Sequence, residues 1–484
     1  MAQLLGIDVG TSGAKVVLID ESGTLLAQAS AGYPLDIPQP GWSQQNPEDW
    51  WQGVCDCLRQ IAAELGERFA PTGIGLTGQM HGAVFLDASG DIVAPAILWN
   101  DQRTVEECEE IERTLGRDQV IAVTGNPALT GFQLPKLLWL RNHHLSAYQR
   151  VAHLLLPKDY IRYRLTGEFA TDVSDASGTV MLDLRTRDWS APILSALEVD
   201  AAILPRVYES GAVTGQTVAG GPLPAGLPVI AGGGDQAAGA VGTGAVTPGV
   251  VSVSLGTSGV VFASLPSLGV DPAGRVHTFA HANGGYHAMS VMLSCGGAVR
   301  WARDTFFPDL EFDAMTALAA ESAPGAGEVA FLPYLAGERS PHNDPFARAS
   351  VLNLSLANGR SDLARAVFEG VSFGLADGYG VLAELGVTST ELRVTGGGAK
   401  SDFWVQLLAN LFDCRCVRLA VDEGPAMGAA ILAGVGTGIW ADVETACAAV
   451  VREAESVLPN ANDEEKSALA EAYARFRAYY PRIR

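Results

Sequence analysis

Leu4-Leu5-Gly6-Ile7-Asp8-Val9-Gly10-Thr11-Ser12-Gly13-Ala14-Lys15 is an apolar run that halts at a Gly/Thr/Ser turn, and a second apolar run, Val16 to Ile19, follows at once. The pattern predicts a tight β-hairpin with an acid at the end of its first strand. Val250-Val251-Ser252-Val253-Ser254-Leu255-Gly256-Thr257-Ser258-Gly259-Val260-Val261 repeats it 246 positions later, with the same Gly-Thr-Ser-Gly. The chain therefore reads as two halves, each opening on strand, turn and strand. Glycines let backbone approach a ligand, consecutive N–H groups form a nest for anions, and Thr and Ser hydroxyls add donors. One such turn is an ordinary hairpin turn. Two, each near the start of a half, suggest a polyphosphate held from both sides.

Outward from these turns, strands and helices alternate. Residues 4–30 read as three strands. A helix is expected over about 47–68, with Pro47 at its first position. Ile74–Thr77 and Val84–Leu86 read as strands, and Ile97–Asp101 as a buried strand with a polar end. Leu227–Gly242 is a strand, three glycines, Asp235 and a small-residue helix. A long helix over 361–385 precedes a strand, 392–395, that enters Gly396-Gly397-Gly398; Ser401 caps a helix to Leu411. The class is α/β, divided at 1–244 and 245–484. Gly73–Gly78 matches G-x-G-x-x-G but is itself the strand, and Gly370–Gly374 matches G-x-S-x-G inside a helical pattern, so neither signals its usual site. No G-x-x-x-x-G-K-[ST] occurs.

The net charge of -22 over 484 residues argues against nucleic-acid or anionic-membrane partners, but not against a nucleotide gripped by N–H groups and a metal ion. Residues 236–270 carry no charge, yet their Gly, Thr, Ser and Pro content reads as buried strands and turns, not a membrane span. The seven cysteines lack framework spacing, and no signal peptide is evident, which together suggest reduced thiols in a cytoplasmic protein.

Asp235 sits at the carboxyl end of an apolar strand, where open α/β sheets bind ligands. It could accept the proton of a hydroxyl attacking a γ-phosphate, or it could simply cap the helix behind it. Asp8 at the phosphate turn would repel phosphate unless a cation intervened, which suggests a Mg²⁺ ligand; a turn-capping Asp is the plainer alternative. Met80 and His81 lie in a strand-exit loop that could hydrogen-bond a polyol. Trp99, Asn100 and Asp101 could do the same, or anchor the core.

Taken in order, the stretches Gly6–Gly13, Gly78-Gln79-Met80-His81-Gly82, Ala96–Asp101, Pro135–Trp139, Leu156-Pro157-Lys158-Asp159-Tyr160, Ala231–Asp235, Ser254–Gly259, Gly337–Asn343 and Gly396–Ala399 resemble the FGGY carbohydrate kinases. The resemblance runs from Leu4 to about Trp440. It implies two actin-like/RNase-H-like ATPase domains that close on a sugar and MgATP across an interdomain active-site cleft. It puts the general base at Asp235 and a metal-associated acid at Asp8, with both as metal residues. Thr11, Ser12 and Lys15 would meet phosphate from one side, and Gly256 and Thr257 from the other, with Gly10 and Gly297 also among the ATP-binding residues. Gly397, Gly398 and Ala399 would lie against adenosine. Met80, His81, Trp99, Asp101, Asp235 and Gln236 would meet the sugar. Met80-His81 resembles the branch acting on D-xylulose, where glycerol-phosphorylating relatives carry Arg-Glu, so the expected product is D-xylulose 5-phosphate. Gln236 departs from the Asn common in that branch.

The remaining alternatives are a kinase for another ketose, polyol or aldonate, a non-catalytic sugar sensor on the same fold, and a chaperone-type ATPase. Intact Asp8 and Asp235 argue against a sensor, and no peptide-binding domain follows the second half. The resemblance leaves a homodimer open.

Overall fold

A computed structural model describes residues 2–421 and 423–484. Both Gly-Thr-Ser-Gly turns close antiparallel hairpins. Strands β1 (Gln3–Val9) and β2 (Gly13–Asp20) form the first, and β3 (Leu25–Gly32) adds antiparallel to β2. Helix α1 (Pro47–Leu65) starts at its proline, with Asn46 accepting from the Glu48 N–H. It leads to β4 (Gly73–Gly78), which lies parallel to β1.

A separate small sheet holds β5 (Ile92–Ile97), which corrects the strand expected over 97–101. The chain turns instead, because the Asp101 carboxylate accepts from the backbone N–H groups of Ser43 and Arg103, a geometry Asp favours in turns. Helix α2 (Pro157–Thr166) follows, then β6 (Val213–Gln216), β7 (Pro228–Ile230), β8 (Gly233–Gly234) and helix α3 (Asp235–Thr243). The first large sheet runs β6-β7-β4-β1-β2-β3, with β8 also paired to β4.

The second half repeats the plan. Strands β9 (Gly249–Leu255) and β10 (Gly259–Leu265) form the second hairpin, extended by β11 (His277–Ala280) and β12 (Tyr286–Met292). Helices α4 (Gly296–Phe306) and α5 (Arg360–Glu384) precede β13 (Ser389–Thr395), parallel to β9. Helix α6 (Asp402–Phe412), capped by Ser401, leads to β14 (Arg415–Leu419), helix α7 (Pro425–Gly436) and β15 (Glu453–Val457). The order is β11-β12-β10-β9-β13-β14-β15. Around each hairpin the plan is similar: antiparallel strands lie on one side of the first strand, two in the first sheet and three in the second, and on the other side come two parallel strands and then an antiparallel one. The charge-free stretch 236–270 holds most of α3 as well as the hairpin β9–β10.

Alternation along β1 assigns its two faces. Leu5, Ile7 and Val9 pack with Trp50, Val54 and Leu58 of α1, while Leu4 packs with Ala426 and Ala430 of α7. Gly6 and Asp8 share the α7 face. Thus a helix from the second half of the chain lies on the sheet of the first half, and the packing boundary differs from the chain boundary at 244. The contact is backbone on backbone. A Cβ on Gly6 would stand 1.9 Å from the Ala426 carbonyl oxygen, and one on Gly75 1.8 Å from that of Ala429. Gly75 belongs to the decoy G-x-G-x-x-G, and helix packing is what requires it. Gly75→Val is expected to cost about 3 kcal/mol or more and to lower the melting temperature by roughly 3 °C or more. An unchanged calorimetric melt would refute this reading of the contact.

Candidate active site

Strands β1, β4 and β8 run parallel and end together. Asp8 pairs with Thr77, and Gly233 and Gly234 pair with Thr77 and Gly78, so Asp235 follows one residue beyond the shared edge. Asp8 and Asp235 are two strand spacings apart, about 10 Å between backbones. They line one cavity of about 410 Å³ with Lys15, Gln236, Ser252, Ser254, Thr395, Gly396 and Glu423. Its walls come from β1 and β2, the start of α3, the strands β9 and β13 of the second sheet, and the segment before α7. The cavity therefore lies between the two sheets.

Three carboxylates and one ammonium line this space, so a bare polyphosphate would be repelled. Burial above all, and then the Asp235 charge, push the Asp8 carboxyl up to about 7, against the opposing pull of Lys15. Asp8 Oδ1 is buried with no partner among the described residues. Burial likewise raises Asp235 to about 6, offset in part by the Gln236 side chain, whose Nε2 donates to Asp235 Oδ1 at 3.3 Å. Two hard-oxygen carboxylates, one with an orphaned oxygen, suit Mg²⁺, which takes one or two carboxylates and completes its shell with water and phosphate. No cluster of three or more His, Cys, Asp or Glu side chains arranged for a metal occurs among the described residues.

Lys15, expected at phosphate, pairs with Glu423, which comes from the other half of the chain. The first turn is braced by side chains, of which Gln45 and Tyr33 lie outside the quoted motifs. Trp99 Nε1 donates to Thr11 Oγ1 at 2.9 Å, and that hydroxyl donates to Gln79 Oε1 at 3.0 Å. Gln79 Nε2 donates to Gln45 Oε1 at 3.1 Å, and Gln45 Nε2 to the Thr11 carbonyl at 2.8 Å. Tyr33 donates to the Gly10 carbonyl. Among the described residues the Thr11 and Ser12 N–H groups, like those of Thr257 and Ser258, have no acceptor. The Gly10 N–H closes its own turn onto the Gly13 carbonyl.

In the second turn the carbonyls face α4. Gly256 accepts from Gly296 at 2.8 Å, and Thr257 accepts from Gly297 at 3.0 Å. The Gly297 N–H is thereby engaged within the protein, so a contact of Gly297 with ATP would not use that group. Gly396 and Gly398 press against Leu255 at the end of β9, while Gly397 has open space at its Cα. Ala399 is nearly buried and its carbonyl accepts from Arg418 Nε.

Of the sugar-side candidates, Met80 lies against Gly234, where a Cβ would meet its Cγ at 2.9 Å. His81 adopts φ 69°. Its Nδ1 is 2.7 Å from the Gly178 carbonyl, its ring packs on Phe132, and burial keeps the imidazole neutral. The proton therefore sits on Nδ1, leaving Nε2 as an acceptor. Asp101 does not serve as a candidate: it is 0% exposed, and both its oxygens are taken up by Arg103 and the Ser43 N–H. Buried Lys136, from the motif Pro135–Trp139, instead supports the loop by donating to the His81 carbonyl at 2.8 Å and that of Gly131 at 2.6 Å. Lys136→Met removes those donors and is expected to raise KM for the sugar about tenfold. KM for ATP should not change, and equal increases in both would show general loosening.

The sequence matches the FGGY family of carbohydrate kinases, N-terminal domain, over residues 3–242 and its C-terminal domain over residues 251–437. It is 41% identical to a xylulose kinase of Escherichia coli over 89% of each chain, and 37% identical to one of Bacillus subtilis over 96% of this chain and 94% of that one. The structure superposes on that of a "xyloylose kinase" from Brucella ovis with a TM-score of 0.94 at 37% identity, covering 99% of both chains. Two repeated hairpins facing one carboxylate-lined cavity, and family matches to both halves, give one conclusion: the chain belongs to the FGGY family of carbohydrate kinases.

Proposed function

We propose that the protein transfers the γ-phosphoryl group of ATP to the terminal hydroxyl of D-xylulose, giving D-xylulose 5-phosphate and ADP. One observation carries the reading. Asp235 stands at the strand edge in the cavity with its carboxyl raised to about 6, so it is ionised near pH 7.5 yet basic enough to accept a proton. Asp235 takes the hydroxyl proton as that oxygen bonds to the γ-phosphorus and the bond to the β-phosphate oxygen breaks. Free N–H groups at Thr11, Ser12, Thr257 and Ser258 would receive charge on the phosphate oxygens. Gly10, Gly256 and Lys15 would stand beside them, Lys15 exchanging Glu423 for phosphate. Asp8 and Asp235 would hold Mg²⁺, which when bound neutralises polyphosphate charge.

The pair Met80-His81, with Trp99 and Gln236, would position the ketose, His81 Nε2 accepting from a sugar hydroxyl. Residues 1–244 would carry the sugar and the first phosphate turn. Residues 245–484 would carry the second turn and the adenosine contacts Gly397, Gly398 and Ala399. Closure of the halves would exclude water and limit ATP hydrolysis.

The test is ADP release with MgATP across D-xylulose, L-xylulose, D- and L-ribulose, glycerol, D-arabitol, xylitol and gluconate. D-xylulose should give the highest kcat/KM. A preference for another member of the series would keep the phosphotransfer and overturn the substrate. Absence of sugar-dependent ADP release from folded, ATP-binding protein would overturn both.

A further inference from the structure

The segment that delivers Asp235 is short of sheet hydrogen bonds. Strand β7 aligns with β4 only at Val229–Ile74, Gly232 (φ 75°) breaks the strand, and β8 resumes pairing at Gly233. Between them the backbone is held by a buried polar cluster on the opposite side. Arg162 of α2 donates to the Ile230 carbonyl at 3.0 Å and the Ala231 carbonyl at 2.5 Å. The Gly234 N–H, one residue before Asp235, donates to Ser174 Oγ at 3.2 Å. Ser174 Oγ in turn donates to Asp172 Oδ2 at 2.5 Å, an oxygen that also accepts from Ser210 Oγ at 2.9 Å. The Ser210 carbonyl accepts the Gly232 N–H at 2.9 Å.

Lys158 anchors this chain, with Nζ 2.7 Å from Asp159, 2.9 Å from Asp172 and 3.4 Å from Asp175. Lys158, Asp159, Arg162, Asp172, Ser174 and Asp175 are all 0% exposed. Burial pushes the Asp175 carboxyl well above the usual carboxylate range, against the opposing pull of Lys158. A buried ion cluster is a poor source of stability, since well-packed apolar side chains often serve as well or better. What apolar side chains cannot supply is directed bonds to the interrupted backbone of 230–234, and the contacts of this cluster converge there.

From this convergence we infer that Lys158, Asp172 and Ser174 are positioning residues for Asp235, acting through the Gly234 N–H to fix where its carboxylate stands. The inference rests on the reading of Asp235 as the base. Ser174→Ala removes one hydroxyl and leaves the ion cluster in place. It is expected to lower kcat with D-xylulose about 10- to 100-fold, as small misplacements of a reacting group do. KM for D-xylulose and for MgATP should stay within about twofold. In an Asp235→Asn background the same change should cost nothing further, because its effect runs through the missing carboxylate.

A kcat within about twofold of wild type overturns the inference, as does an equal loss in both backgrounds. If Ser174→Ala fails to fold, Ser210→Ala, which removes the second hydroxyl from Asp172, is read by the same cycle. A readout independent of turnover is hydrogen exchange over residues 230–238 of the full chain. Exchange at Gly234 should quicken in Ser174→Ala, and unaltered exchange overturns the inference. Inactivity of the wild type with every sugar would instead count against the assigned reaction, leaving the exchange result to judge the contact.

Discussion

Asp235→Asn lowers kcat about a thousandfold, because a positioned general base contributes roughly 10²–10⁴, while KM for MgATP changes little. The side chain keeps its size and its place in the first turn of α3, so what is lost is proton acceptance. The raised pKa of Asp235 sets the pH dependence. Only the carboxylate can act as a base, so wild-type kcat/KM should fall as pH drops through about 6, where Asp235 takes up its proton. The sign follows from the two opposed causes. Burial raises the carboxyl and the Gln236 amide lowers it, so Gln236→Leu should move the acid limb to higher pH. A steady-state pH profile measures this, and Asp235→Asn should lack the limb in its residual rate. Turnover of the variant within tenfold of wild type would remove Asp235 from the role.

Local pattern carried the fold a long way because its deciding features are local. An apolar run, a Gly-Thr-Ser-Gly turn and a second apolar run can hardly be anything but a hairpin, and the duplicate turn reported the duplicate topology. Asp235 was legible for the same reason, since a buried strand, three glycines and an acid mark a sheet edge. The misses were mostly long-range. Arg103 stands two residues from Asp101, but nothing local reveals that the distant Ser43 N–H also binds its carboxylate and that the group is buried. Lys15 meets Glu423 only after the chain has built a second sheet, and α7 crosses back onto the first through Gly6 and Gly75, whose partner surfaces are far away in sequence. Lys136 and Lys158 stand in quoted motifs that give them no role; both are 0% exposed, and their partners are carbonyls and carboxylates that only folding assembles. Gln45 and Tyr33 carry no motif of their own, and their role in bracing the first turn exists only in three dimensions.

Asp8→Asn should lower turnover sharply and at the same time make the ligand-free protein more stable at alkaline pH. The two effects share one cause. Asp8 faces α7 and the cavity with an orphaned buried oxygen, and its carboxyl is raised from 3.8 to about 7, so the folded protein disfavours its ionised form. For a group raised on folding, stability is full below its unfolded value and is lost as pH climbs through the folded one. At pH 8 the wild type therefore carries the whole cost of a buried charge, at most about 4 kcal/mol before solvent screening. Asparagine carries none of it, while at pH 4 the two proteins should melt nearly alike. Added Mg²⁺ should raise the wild-type melting temperature at pH 8 and leave Asp8→Asn unmoved, because the charge that penalises the empty cavity is the charge that would hold the ion. Turnover should fall by about 10²-fold or more, the scale of losing one electrostatic anchor in an active site. Thermal melts at pH 4 and pH 8, with and without Mg²⁺, separate the possibilities. A variant that melts below wild type at pH 8 would mean that Asp8 is a structural cap whose carboxylate the fold needs.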